Sequence, residues 1–343
     1  MDVLDFSQAI NEIDRYKHKH LMLGNGFSIS LRPDIFTYGS LLDSANFDKA
    51  PHVSDLFKNI GTQDFELVIK HLIDSILVVS IYQPDNSALI DQLKSDAEIV
   101  KDALVTAIAK RHPDRPYDIK PEQYKSCRSF LSRFSHIYTL NYDVLLYWAL
   151  MHSDVDDLRL NPDDGFRHPE REEIYVTWQQ GQSATIHYLH GALHLFDAGD
   201  EVVKYTWSKA DIPIVEQVRM ALNESKYPLF VAEGTTENKM DKIMHNAYLH
   251  KSLRSLESCA DNSNSCFVVF GHSLADNDAH VLRCIGRGRT PKMLVSVYGD
   301  PTSDQNKAIE ASARRLVQYR DSINSRYPLE IIFYDATSAK VWG

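Results

Sequence analysis

The chain has no two cysteines close enough in sequence to share a small metal knuckle. Cys127, Cys259, Cys266 and Cys284 are scattered without a single C-x-x-C pair. That spacing argues against a disulfide frame or a zinc ribbon and suits the reduced thiols of a cytoplasmic protein. Long apolar runs are missing too. The longest, ILVVSIY at 76–82, is far too short to cross a bilayer, so no membrane association is expected. The start, MDVLDFSQAINEIDR, is acidic and has no apolar core segment, so a secretory signal is not expected there. Positive charge is in the minority, with 37 Lys and Arg against 47 Asp and Glu. A formal charge of −10 argues against a nucleic-acid grip over the whole surface.

What is present is the composition of an ordinary globular protein. Hydrophobic residues make up 43% and charged residues 24% of 343 residues, enough to build a sizeable core. Short β-rich runs end abruptly in small or polar residues: HLML before Gly24, HIYTL before Asn141, TIHYL before His190 and YPLFV before Ala232. SCFVVF before Gly271, MLVSVY before Gly299 and LEIIFY before Asp335 continue the series. Continuous apolar runs of this length suit strands buried on both faces. Helical spacing lies between most of them, as at 238–257 and 303–325. The alternation predicts an α/β fold, a Rossmann-like, mainly parallel sheet flanked by helices, as a single domain over 1–343. Residues 48–132 break the rhythm with long helical patterns and are expected to form a helical insertion. RHPDRP at 111–116 is its clearest loop, and NPDDGFRHPEREE at 161–173 is a second polar loop.

In parallel sheets of this kind, ligands sit beyond the carboxyl ends of the strands, where the polar triplets fall. Gly24-Asn25-Gly26-Phe27-Ser28 has two readings. One is a tight turn; the other is a phosphate seat, with backbone close approach allowed by glycine and a hydroxyl from Ser28. The dinucleotide fingerprint G-x-G-x-x-G fails, because position 29 is isoleucine. Thr139-Leu140-Asn141-Tyr142-Asp143 is either a helix cap or a polar pair facing a ligand. His190-Gly191 places a histidine at a strand end. The neighbouring His187 and His194 are expected to point elsewhere, so no metal site is expected there. Gly271-His272-Ser273 and the acidic stretch to His280 again read as a turn with a helix cap, Asp278 favouring the positive helix end. A metal alternative would use His272, Asp276, Asp278 and His280, but the rest of the phosphoesterase pattern is absent.

Taken in order, GNGFS, DFE at 64–66, TLNYD, LHG, AEGTTENK and GHSLADND resemble the sirtuin NAD-binding fold. More closely, they resemble the sirtuin-like NAD hydrolases of bacterial antiphage defence systems. The resemblance runs from about residue 19 to the last strand, with the insertion set aside. It departs from the deacetylases in three places. No four-cysteine zinc module follows His190, so no zinc is expected. Leu140 stands where the deacetylases have glutamine. Pro33-Asp34-Ile35-Phe36 lacks the arginine of their P-D-F-R sequence. The resemblance implies hydrolysis of the nicotinamide–ribose bond of NAD, with NAD as substrate and no further cofactor. It implies Asn141, His190 and Asp143 as catalytic residues: Asn141 to position water or ribose hydroxyls, Asp143 to hold the carboxamide, and His190 as a general base of neutral-range pKa. Gly24, Gly26, Ser28, Thr139, Gly271, Ser273 and Asp278 would complete the NAD site. A homo-oligomer and a protein partner encoded alongside, such as a translocase-type ATPase, are the implied partners. A module of the same fold that binds NAD or ADP-ribose without cutting it is the alternative.

Overall fold

All but one of the apolar runs expected to form strands do so in the computed structural model, although the last, Glu330–Asp335, is only half-buried; the structure describes residues 1–170, 173–181, 183–206, 212–224, 226–232 and 235–343. In chain order the strands are β1 (Val3–Leu4), β2 (His18–Leu23), β3 (His136–Thr139), β4 (Phe166–Arg167) and β5 (Tyr175–Trp178). They continue with β6 (Ile186–Tyr188), β7 (Leu195–Asp197), β8 (Val202–Tyr205), β9 (Ser265–Phe270), β10 (Lys292–Val297) and β11 (Glu330–Asp335). Seven of them form one sheet in the order β1-β11-β10-β9-β2-β3-β6, and every neighbouring pair is parallel.

That order fixes where a ligand would go. From β2 the chain winds outward through β3 to β6, then returns to the other side of β2 and winds through β9, β10 and β11. This is the doubly wound 3-2-1-4-5-6 arrangement of Rossmann-like sheets, with β1 added at the far edge. The reversal falls between β2 and β9, and the crevice at such a switch point is where these sheets hold ligands. Strands β9 and β10 are buried along their whole length, as strands with both faces covered are.

Two expectations need correction. YPLFV before Ala232 is not a strand of the sheet. Phe230 makes an isolated antiparallel bridge with Gly191, and Val231 N–H donates to the His190 carbonyl at 3.0 Å. The segment is used to back the turn after β6. The region around 161–205 also holds more than a loop: β4, β5, β8 and β7 form a small antiparallel sheet. It packs through Phe166 and Trp178 on Tyr248 of helix Ala247–Ala260.

The crossover from β2 to β3 is wholly helical and includes residues 48–132. Helix Phe65–Tyr82 begins at Asp64, whose carboxylate accepts from Glu66 N at 2.9 Å and Leu67 N at 3.3 Å. Its first turns carry the buried Phe65, Glu66, Val68, Ile69 and Leu72. Its far end carries Leu77, Ile81 and Tyr82, all more than half exposed. Among the described residues, no helix is long and apolar enough to cross a membrane.

Candidate active site

The two glycine turns at the switch point are pressed together. A Cβ on Gly24 would lie 2.6 Å from the Gly271 carbonyl oxygen, and one on Gly26 would lie 2.5 Å from Gly271 Cα. Gly271 itself has φ +68°, in the left-handed region that favours glycine. Gly24 N–H donates to Phe270 O at 3.0 Å and Gly26 N–H to Gly271 O at 2.8 Å. These glycines are therefore required by the contact between β2 and β9 turns, whatever else binds there. Ser273 lies exposed at the rim.

Beneath this contact sits a first polar cluster. Ser28 is fully buried and donates its hydroxyl to Asp143 Oδ2, while Asn141 Nδ2 donates to Ser28 Oγ at 2.9 Å. Asp143 Oδ1 also accepts from Leu145 N at 2.9 Å, so its capping-type role is real as well. Thr139 Oγ1 accepts from Asn141 N at 3.0 Å and fixes the turn after β3. Burial pushes the Asp143 carboxyl up, opposed by the Ser28 and Leu145 donors. Asn141 Oδ1 is buried without a partner among the described residues.

The second cluster is larger and ionic. Lys239, with 0% exposure, puts Nζ 2.6 Å from Glu66 Oε2 and 3.0 Å from Asp278 Oδ1. Asn277 Nδ2 also donates to Glu66 Oε2 at 2.9 Å, and Tyr142 OH donates to Glu66 Oε1 at 3.0 Å. His272 Nε2 meets Asp278 Oδ2 at 2.9 Å. His190 Nε2 and His280 Nε2 lie 2.9 Å apart, so one ring donates and the other accepts, and His190 Nε2 is 3.8 Å from Asp278 Oδ1. Asp278 stands at the start of helix Ala279–Arg287 but makes no side-chain cap there; its carboxylate is turned to the lysine and histidines instead. His187 and His194 do point elsewhere, His187 to Ser252 and Ser255 and His194 between Tyr147 and Tyr188.

One lysine shared by two carboxylates leaves a deficit of positive charge, and the titrations follow from it. Burial alone would lower Lys239, but Glu66 and Asp278 overcome it and push the ammonium up to about 12. Burial would raise Asp278, yet the His272 hydrogen bond and the charge of Lys239 hold it well below the usual carboxylate range. Glu66 takes what is left. Burial outweighs Lys239, and the neighbouring Asp278 adds to it, raising Glu66 to about 7. Burial, with Lys239 next, keeps His190 well below the ordinary histidine range, and burial lowers His280 to about 4. The neutral-range pKa expected for His190 is thereby corrected: desolvation makes it a neutral but weak base.

His190, Asp278 and His280 each bring a donor atom within 4.8 Å of the others, close enough to consider a cation. Lys239 already supplies one against the same Asp278 oxygen. Asp276, the other acid of the metal alternative, is exposed and pairs with Arg315 at 3.1 Å. Lys239 and Glu66 are the residues sequence reasoning missed as site members. Both lie inside stretches already singled out, AEGTTENK and DFE, but their roles depend on a meeting across 173 residues. Glu233 and Gly234 of the former lie outside the described residues.

The order of strands and the position of these clusters define a Rossmann-like α/β protein with a polar site at its switch point. The chain belongs to the family described as Domain of unknown function (DUF4917), whose family model matches residues 21–342. No curated protein matches it. A solved structure, "Structure of Sir2Tm bound to a propionylated peptide", is similar with 13% identity and a TM-score of 0.39, covering 94% of this chain and 100% of that one.

Proposed function

We propose that the protein hydrolyses NAD at the nicotinamide–ribose bond, releasing nicotinamide and ADP-ribose. The observation that carries this reading is the set of buried polar atoms left unpaired beside the switch point. Asn141 Oδ1, Asn277 Oδ1 and His280 Nδ1 have no partner among the described residues. Buried polar atoms are nearly always satisfied, so such a group points to something that binds there. The ordered motif resemblance to sirtuin-like NAD hydrolases names the chemistry.

In this reading the dinucleotide crosses the rim marked by Gly26, Gly271 and Ser273. Ser28 and Asp143 act from below, holding the Asn141 amide so that Oδ1 faces a ribose hydroxyl or the attacking water. Breaking the bond builds positive charge on the ribose, and nicotinamide leaves neutral, so no general acid is required. Asp278 and the ionised fraction of Glu66, against one Lys239, provide negative charge suited to an oxocarbenium-like centre. His190 takes the proton of water or of a ribose hydroxyl. Its burial makes it weak at rest, and Asp278 at 3.8 Å stabilises the imidazolium as it forms. The closed, ion-paired state of the cluster accords with an enzyme held off until triggered, as an effector of antiphage defence that depletes NAD would be. The exposed Leu77, Ile81 and Tyr82 offer an apolar contact surface for self-assembly or for a partner encoded alongside.

The test is chromatographic. Purified protein, alone and with any protein encoded beside it, is incubated with NAD while nicotinamide and ADP-ribose are followed. His190→Ala and Asn141→Ala should each lower turnover about 100- to 10,000-fold with circular dichroism unchanged. Tight binding of NAD without any release would replace the hydrolase with a sensor of NAD or ADP-ribose.

A further inference from the structure

The same strands carry a second group of histidines at their other ends. Strand pairing places His20 opposite His136, and also opposite Phe267 of β9. Alternation along β2 puts His18 and His20 on one face, where their rings stack at 6.3 Å. On the same face, His20 and His136 meet edge to face at 5.2 Å, and His136 stacks on His187 at 6.1 Å. Helix Ala247–Ala260 lies over them. Ser255, which bonds both Tyr138 OH and His187 Nε2 at 3.0 Å, is followed one turn later by Cys259. His20, His136 and Cys259 each bring a donor atom within 4.8 Å of the other two.

Two features separate this group from a packed aromatic cluster. His20 is only 2% exposed, and its Nδ1 makes no hydrogen bond among the described residues; His136 Nδ1 is likewise buried and unpaired. A buried imidazole normally uses its ring nitrogens. Here both histidines with an unpaired nitrogen also bring a ring nitrogen close to a thiol, in a group with no carboxylate and no lysine among its members. We propose that His20, His136 and Cys259 bind a transition-metal ion of the zinc class, tying helix Ala247–Ala260 to β2 and β3. Two imidazoles and a thiolate are ligands that zinc accepts at about 2.0–2.3 Å, which holds donor atoms about 3.5 Å apart. Binding would draw the donor atoms, now within 4.8 Å of one another, in to that spacing by side-chain rotation. Water or His18 completes the tetrahedron. Tyr138, whose hydroxyl lies against both Ser255 and Cys259, orients the sulfur from outside.

The site is tested on the full chain by metal binding and not by activity, so it stands or falls independently of the NAD reading. Native protein freed of metal by dialysis is titrated with Co²⁺, and thiol alkylation is mapped by mass spectrometry with and without Zn²⁺. Cys259 is the half-buried cysteine and the other three are buried. The expected result is about one ion per chain, a thiolate-to-cobalt charge-transfer band displaced by Zn²⁺, and slower alkylation at Cys259. Cys259→Ser and His136→Gln should each weaken binding at least about 100-fold while circular dichroism stays unchanged. Alkylation of Cys259 in wild-type protein that is indifferent to Zn²⁺ overturns the proposal without recourse to any variant. So does binding that survives Cys259→Ser but is lost in His280→Asn, which would move the ion to the carboxyl-end cluster.

Discussion

The two ends of strands β2, β3 and β9 solve the burial of polar side chains in opposite ways. At the carboxyl end, three histidines are gathered around a carboxylate that is itself neutralised by a buried lysine. At the amino end, histidines of the same sheet face a thiol and hydroxyls, with no carboxylate or lysine in the group. The first arrangement sets an ammonium against its carboxylates; the second has no charged side chain among its members. The lesson is that burial of histidine says little about chemistry until the neighbouring charges are counted.

The sharpest way to break this contrast is to remove the internal cation. Lys239→Met leaves Glu66 and Asp278 buried without their ammonium and should cost about 3–5 kcal/mol in denaturant unfolding. Adding Glu66→Gln should recover part of the loss. No recovery would mean that the lysine acts through packing and not through charge. Next in size is Gly271→Ala. A left-handed alanine costs about 1–2 kcal/mol, and its Cβ would also sit 2.6 Å from Gly26 Cα, so melting temperature and any NAD turnover should fall together.

The ionic end should also show itself in pH. Glu66 is raised in the folded state from 4.5 to about 7. Between those values the folded state holds a proton that the unfolded chain has released, so the contribution of Glu66 to stability falls as pH rises from about 4.5 to about 7, opposite in sign to that of the lowered His190 and His280. The effect is on the order of 1–3 kcal/mol. Melts of wild type and Glu66→Gln across that window should diverge, and parallel curves would refute the assignment. Asp278, depressed in the folded state, contributes stability that is lost only at lower pH. The smallest effect belongs to the amino end. His136→Gln in metal-free protein should change stability by no more than about 0.5–1 kcal/mol, because no ion pair is broken. A larger loss would show that the histidine cluster is structural in its own right.

Much of the fold is legible in the sequence because a parallel sheet buried on both faces demands uninterrupted apolar runs. The runs before Gly24, Asn141, His190, Gly271 and Gly299 are of that kind, and the one before Asp335 forms a half-buried strand nearer the edge. YPLFV has the same composition and is not a sheet strand, since composition does not reveal that the edge after β6 is closed by a glycine turn. The small antiparallel sheet escaped notice because its strands are only two to four residues long. Of the site, the strand-end residues could be named from position alone. Their partners could not.

By itself the sequence determined which residues stand at the carboxyl ends of strands, since side-chain polarity and glycine mark where a buried strand stops. Only the tertiary structure decided what those residues meet. Glu66 from the insertion, Lys239 from a helix start and Asp278 from another converge because the β2–β3 crossover folds back over the switch point. Likewise, Cys259 reaches His20 only because a helix antiparallel to the sheet returns its last turn to the strands' beginnings. Contacts between residues so far apart in the chain carry no local pattern, and charge compensation across them is settled by packing.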